Sequence, residues 1–336
     1  MKKITAAVTM GDPAGIGPEI ICKMYAKGKA GSRADSFVIG DMGPMLCAAG
    51  KIPKKPVIHP MKTAADIKKG KNIINLYDME IIKEKDYKKG ISCARAGMAS
   101  FMYIKAAIDM ALKKEIDAVV TAPINKHSLH LAGLKFPGHT EILAEFTGTK
   151  KFAMMLAGEG LRVVLVTIHN SLKKAAALIN VSSVYETIEI AHNALVKDFG
   201  IKKPKIAVLG LNPHAGEQGA FGDEEKKYII PAMKKALKKG IKVFGPYPAD
   251  TLFHYVVKKG SHDAVVCMYH DQGLIPLKLL YFDSGVNITL GLPIIRTSPD
   301  HGTAYDIAGK GRASAGSIIA AFKTAVEIAE NRKKQV

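Results

Sequence analysis

The sequence predicts an α/β fold with a largely parallel sheet, and three features carry that prediction. Short apolar runs rich in Val and Ile recur along the chain, longer amphipathic stretches lie between them, and a Gly-Pro turn joins the first run to the first amphipathic stretch. Strands are expected at residues 4–9, 36–39, 118–121, 162–167, 205–211 and 264–268, where Val and Ile are frequent and each run is short, as a buried strand should be. Helices are expected at 18–27, 94–114, 182–198, 223–239 and 315–332. Before the third of these, Ser182 or Ser183 with Glu186 offers a capping-box start. Residues 331–336 read as a frayed end, and there is no internal repeat or low-complexity segment.

The chain has 336 residues, 48% of them hydrophobic, which is enough for two domains or one large α/β unit. No run approaches the roughly 20 apolar residues of a membrane span, so no membrane association is expected. Met1 to Met10 reads as a first strand and not as a signal peptide. Cys22, Cys47, Cys93 and Cys267 are scattered, without a Cys-x-x-Cys pair. Buried free thiols in a reducing cytoplasm are the expectation.

The formal charge of +19 could serve nucleic acid, an anionic surface or acidic metabolites. The lysines are dispersed, aromatics are only 7% and Trp is absent, where a nucleic-acid binder needs clustered cations and aromatic platforms, so no nucleic-acid partner is expected. Lys-Lys-Gly triplets at 68–70, 88–90, 238–240 and 258–260 suit helix C-termini, with cations on the dipole and glycine as the left-handed cap.

His169, His214 and His270 each follow an expected strand, at the carboxyl ends where open α/β sheets hold ligands. Together they could hold a divalent metal with positions left for substrate; singly each could be an ordinary loop histidine. Gly138-His139-Thr140-Glu141 opens a helix and could bind phosphate or carboxylate, or be no more than a Thr cap with Glu in the first turn. Lys278, Asn287 and Arg296 could recognise an anion, Arg296 through its planar fork, or lie on an edge strand as surface groups. The turn Gly11-Asp12-Pro13-Ala14-Gly15-Ile16-Gly17-Pro18-Glu19 is neither a Walker loop nor a dinucleotide fingerprint, and the common hydrolase signatures are missing.

These residues together resemble the 4-hydroxythreonine-4-phosphate dehydrogenase family of vitamin B6 (pyridoxine) biosynthesis. The resemblance runs through TMGDPAGIGPEI (9–20), GHTE (138–141), LNPHAGE (211–217), PADTLF (248–253), MYHDQG (268–273), GVNITLGLP (285–293) and IIRTSPDHGTA (294–304), nearly the whole chain. It implies a two-domain α/β/α subunit similar to isocitrate and isopropylmalate dehydrogenases and unlike a Rossmann fold. The domains expected are 1–125 with 290–336, and 126–289. It implies a divalent metal, Zn, Mg, Co or Mn, on His169, His214 and His270, and substrate on His139, Thr140, Lys278, Asn287 and Arg296. His301, Gly302, Thr303, Ala304 and Asp306 resemble an adenosine-binding loop, hence NAD or NADP. The implied assembly is a homodimer with its active site at the subunit interface, His169 and His214 from one chain and His270 from the other.

The implied reaction oxidises a hydroxyl β to a carboxylate and then loses carbon dioxide, with Lys278 and Asp250 as candidate bases. Two segments depart from the family. TAPINK (121–126) stands where GPVHK is common at its end, and TIHNSL (167–172) where TTHLPL is typical. Both look more like the D-threonate or D-erythronate 4-phosphate branch, which gives dihydroxyacetone phosphate; an aromatic cis-dihydrodiol branch is the remoter comparison. A three-histidine metal hydrolase would need no NAD, and a basic binding protein would need clustered cations.

Overall fold

Strand β1 (Ile4–Thr9) forms with the expected limits, and its Ala and Val side chains are buried on both faces. The computed structural model describes residues 3–30 and 34–335. Met1, Lys2 and Val336, at the ends of the expected first strand segment and frayed tail, lie outside them. After β1 come α1 (Gly17–Ala26), β2 (Ala34–Gly40), α2 (Met42–Ala49), β3 (Val57–Met61), β4 (Ile73–Asp78), α3 (Ala94–Leu112), β5 (Ala118–Thr121), α4 (Lys126–Leu131) and α5 (His139–Phe146). Then follow β6 (Ala153–Gly158), β7 (Leu161–Leu165), α6 (Leu172–Leu178), α7 (Val181–Lys197), β8 (Ile206–Leu209), α8 (Ile230–Lys238), β9 (Val243–Tyr247), α9 (Ala249–Lys259), β10 (Ala264–Cys267), α10 (His270–Tyr281) and β11 (Val286–Leu290). The chain ends with β12 (Arg296–Pro299) and α11 (Gly316–Lys334). No helix among the described residues is long and apolar enough to cross a membrane.

The chain divides into two compact units, residues 1–149 with 292–330, and 150–291 with 331–336. In the first, the strand order β3-β4-β2-β1-β5-β12 is parallel throughout. In the second, the order is β11-β6-β7-β10-β8-β9, and β6 alone runs against its neighbours. This is the largely parallel, non-Rossmann α/β architecture that the sequence predicts.

The first boundary lies at 149/150, where the sequence reading put it at 125/126, because α4 and α5 pack on α3. Ile104 and Ile108 of α3 share a core with Leu129, Ile142, Leu143, Leu292 and Ile294. Each such aliphatic side chain contributes about 1.5–3 kcal/mol on burial, so these short helices stay with the first unit. His139 and Thr140 go with them.

Other differences have local causes. Asn180, not a serine, caps α7: its side chain accepts from Ser182 and Ser183, and Ser183 returns the bond to Asn180. The helix expected at 223–239 opens as a π-turn over Glu225–Ile229, because Pro231 has no N–H to give and the Glu225 carboxylate is held elsewhere. Two Lys-Lys-Gly triplets end helices, with Gly240 and Gly260 left-handed; those at 68–70 and 88–90 lie in loops. The tail is helical to Lys334, and Arg332 pairs with Asp198 at 2.6 Å. All four cysteines are free, with Cys22 and Cys267 buried and Cys47 and Cys93 half-buried.

Candidate functional site

In the first unit β1, β5 and β12 are parallel neighbours, so their carboxyl ends bring three loops together: the Gly11 turn, residues 122–125, and residues 300–313. Arg296 opens β12 opposite Val119 of β5. Its Nε and Nη2 both donate to Thr121 Oγ1, at 3.0 and 2.8 Å, which aims the guanidinium. The side chain is buried, and desolvation pulls its pKa down to about 9 against the opposing pull of Glu141, so it remains a cation at neutral pH.

His139 opens α5 after an extended Gly138, which provides no side-chain cap. Thr140 is buried, and Glu141 sits in the first helical turn. Thr140 therefore does not cap the helix. His139 as a whole residue is half-buried, and its Nε2 is sealed and has no partner among the described residues. Desolvation, and then the Arg296 charge, hold its pKa well below the ordinary value, while a hydrogen bond to the Ala122 backbone opposes them. The ring is neutral, and the bond to Ala122 leaves Nε2 as an acceptor.

The Gly11–Glu19 turn, a weak motif by sequence, grips the 301–313 loop. Ile16 N–H donates to Thr303 C=O at 3.0 Å, and Tyr305 Oη donates to Asp12 at 2.8 Å. Glu19 accepts from Gly311 and Ala313 N–H, and Lys23 donates to their carbonyls. A Cβ on Gly15 would lie 2.9 Å from that of Thr303, so only glycine allows this approach. Burial raises the Asp12 pKa, against its hydrogen bonds from Tyr305 and Ala14. Within the held loop Thr303 is buried, Ala304 is left-handed at φ 42°, and His301, Gly302 and Asp306 are exposed.

In the second unit the order β7-β10-β8 makes neighbours of the three histidine-bearing strand ends, with His270 in the middle. The rings of His169 and His270 lie 5.9 Å apart within one chain. The resemblance pairs His169 with His214 instead; His214 lies against Phe221, 5.8 Å between ring centres. His214 belongs to a left-handed run, His214 to Gln218, in which every φ is between 40° and 81°. Such a run costs roughly 1–2 kcal/mol for each non-glycine residue. Buried Glu225 holds its base, accepting from Leu211 and Asn212 N–H at 2.7 and 2.8 Å.

The donors fit a divalent ion. His270 Nδ1 bonds Asp271 at 2.7 Å, so a carboxylate stands behind the ring and Nε2 would be the atom available to a metal. No group of three His, Cys, Asp or Glu side chains is gathered closely enough to hold an ion within one chain among the described residues. A cavity of about 280 Å³ adjoins the pair, lined by Ile168, His169, Asn170, Tyr269, His270 and Asp271 among others. Lys278 lies half-buried on α10, not on an edge strand. Asn287 stands on β11 with a sealed Oδ1 that has no partner among the described residues, and Asp250 is exposed in the first turn of α9. Neither candidate base lines the cavity. Sequence reasoning missed Thr121, Asp12 and Tyr305, whose roles depend on strand order, and Glu225, whose role depends on the fold of the loop after β8.

The family profile described as pyridoxal phosphate biosynthetic protein PdxA matches residues 32–325. A 4-hydroxythreonine-4-phosphate dehydrogenase of Geobacter metallireducens is 48% identical over 96% of this chain and 94% of its own length. A D-threonate 4-phosphate dehydrogenase of Salmonella typhimurium is 44% identical over 98% of this chain and 100% of its own. The crystal structure of a 4-hydroxythreonine-4-phosphate dehydrogenase from Klebsiella pneumoniae superimposes with a TM-score of 0.88, at 42% identity over 98% of each chain. With its strand order and its histidine-bearing strand ends, the chain belongs to the PdxA family.

Proposed function

We propose that the chain is an NAD- and divalent-metal-dependent dehydrogenase that oxidises and decarboxylates a 4-phosphorylated hydroxy acid, of the 4-hydroxythreonine-4-phosphate type. The observation that carries this reading is the set of three histidines on adjacent parallel strand ends, with the His270 ring already oriented by Asp271. When bound, the metal would polarise the substrate hydroxyl and NAD would accept the hydride.

The chain's own residues do the rest. Arg296, aimed by Thr121, meets a substrate anion, and neutral His139 accepts a hydrogen bond at Nε2. Asn287 Oδ1 offers a second sealed acceptor. Lys278 and Asp250 remain our candidates for the base, and the 301–306 loop, held by the Gly11 turn, for NAD or NADP. The hydroxyl proton and the hydride leave the substrate, giving a β-keto acid and reduced cofactor; loss of carbon dioxide and uptake of a proton complete the reaction.

A homodimer is part of the proposal. Ile275, Leu279 and Phe282 form an exposed apolar stripe at i, i+4 and i+7, beginning one helical turn beyond His270 and Asp271. A second copy of the chain covering it would bury the stripe and bring its own residues toward the histidines. The free cysteines support a cytoplasmic location.

D-threonate or D-erythronate 4-phosphate is the second reading. It is favoured by Asn125, which caps α4 by accepting from Ser128 N–H at 2.8 Å where a histidine is common in the vitamin B6 enzymes. The test is a panel of 4-hydroxythreonine 4-phosphate, D-threonate 4-phosphate, D-erythronate 4-phosphate and an aromatic cis-dihydrodiol, with NAD and a divalent metal. Fastest nicotinamide reduction with the first compound supports the main reading. Preference for an acid of the second branch replaces it, and activity with the dihydrodiol alone overturns both.

A further inference from the structure

Past the last rungs of the β7-β10-β8 ladders, something other than sheet pairing must fix the loops that carry the three histidines. The β10–β8 register ends at Val266 opposite Val208, and the β10–β7 register at Cys267 opposite Leu165. Val166 and Thr167 N–H extend the second ladder to Cys267 and Met268 C=O, at 2.9 and 3.2 Å. On the other side the backbones part, and a side chain closes the gap. Gln272 Oε1 accepts from Met268 N–H at 2.7 Å, and its Nε2 donates to Gly210 C=O at 2.7 Å. Gln272 is buried, 8% exposed, in the first turn of α10.

We propose that Gln272 is a positioning residue for the metal ligands, an amide that replaces the missing sheet rung and fixes the His214 and His270 loops of one chain in the places from which each serves its metal site. Its carboxamide presents one acceptor and one donor, as a peptide group does, so it can serve both strands at once. Met268 is the hub. Its N–H goes to Gln272, and its C=O receives both the N–H and, at 2.7 Å, the Oγ1 of Thr167. Thr167 stands two residues before His169, Met268 two before His270, and Gly210 four before His214, so this one chain of bonds joins all three loops. Glu225 then carries the order onward from Gly210 by holding Leu211 and Asn212. Substitution of a ligand's outer partners typically weakens metal binding about 10–100-fold. A residue that sets two loops should fall in that range.

The inference rests on the metal reading of the histidines, and the test separates the two. Metal-free parent, Gln272→Glu and Gln272→Met are titrated with Co²⁺ alone, following its visible spectrum and competition with a chelator. Glu keeps the acceptor for Met268 and loses the donor for Gly210; Met loses both and buries no charge, so it folds where Glu does not. Hydrogen exchange of residues 210–218 is measured on the same metal-free proteins. Ile188→Ala, in the buried face of α7, is the control for general destabilisation. Expected for a Gln272 variant are Co²⁺ binding weakened about 10–100-fold, an altered spectrum and faster exchange at 210–218, with Co²⁺ affinity unchanged in Ile188→Ala. Parent-like affinity and spectrum in folded Gln272→Met, or an equal loss in Ile188→Ala, would overturn the positioning role while the metal reading stands. A parent that binds no Co²⁺ removes the metal reading, and this inference with it.

Discussion

Replacing Arg296 by Lys keeps the charge and removes the planar fork. In the native chain Nε and Nη2 converge on Thr121 Oγ1, which leaves the guanidinium edge fixed in direction. A lysine ammonium can give Thr121 one bond, or turn to the substrate anion, but cannot do both from two rigid nitrogens. One hydrogen bond between charged partners is worth about 1.5–3 kcal/mol. At about 1.4 kcal/mol per factor of ten, its loss lowers kcat/KM for the phosphorylated acid about 10- to 150-fold. NAD is held elsewhere in our reading, so its KM should stay within about twofold. Initial rates with each substrate varied against saturating partner measure both numbers, and a thermal melt confirms folding. Equal losses for acid and NAD, or none for the acid, would refute the placement of Arg296 at the substrate anion.

Three further outcomes are expected. His214→Ala should lose tight metal binding and most turnover while remaining folded, since an exposed loop histidine adds little to the core; metal analysis and circular dichroism check it, and chelation of the native protein should reproduce the defect. Gly11→Ala should cost more than about 1 kcal/mol in a denaturant titration, because Gly11 has φ +70° and a Cβ there would meet Pro123 C=O at 2.4 Å. Burial and Arg296 depress the His139 pKa in the folded chain, so its contribution to stability is fully present above the unfolded value of about 6.5 and declines as pH falls from there toward the folded value. Denaturant midpoints between about pH 8 and pH 5 should therefore fall more steeply for the native chain than for His139→Gln; parallel curves would contradict the depressed pKa.

Much of this was legible in the sequence where the cause is local. Ile4 to Thr9 and Ala118 to Thr121 form strands with the expected limits, because a short Val- and Ala-rich run buried on both faces needs nothing from elsewhere to define it. Strand-end histidines could be read the same way. Strand order could not, and the roles that depend on it stayed hidden. Thr121 aims Arg296 only because β5 and β12 are neighbours, 175 residues apart in sequence. The Gly11 turn gained a role only once Tyr305, 293 residues away, was found on Asp12. The serine cap expected for α7 gives way for a smaller reason: Asn180, one residue before the apolar run begins, accepts from Ser182 and Ser183 N–H and so places both serines inside the first turn.

The central claim is oxidation coupled to decarboxylation under the control of a divalent metal. It is tested most directly by counting products. Purified protein is stripped with a chelator and given NAD and the preferred phosphorylated acid, with and without a divalent metal, while reduced nicotinamide and carbon dioxide are measured together. The account predicts neither product in the stripped sample and, on adding metal, one carbon dioxide for each nicotinamide reduced. Full turnover without metal, or reduced nicotinamide with no carbon dioxide, would contradict it.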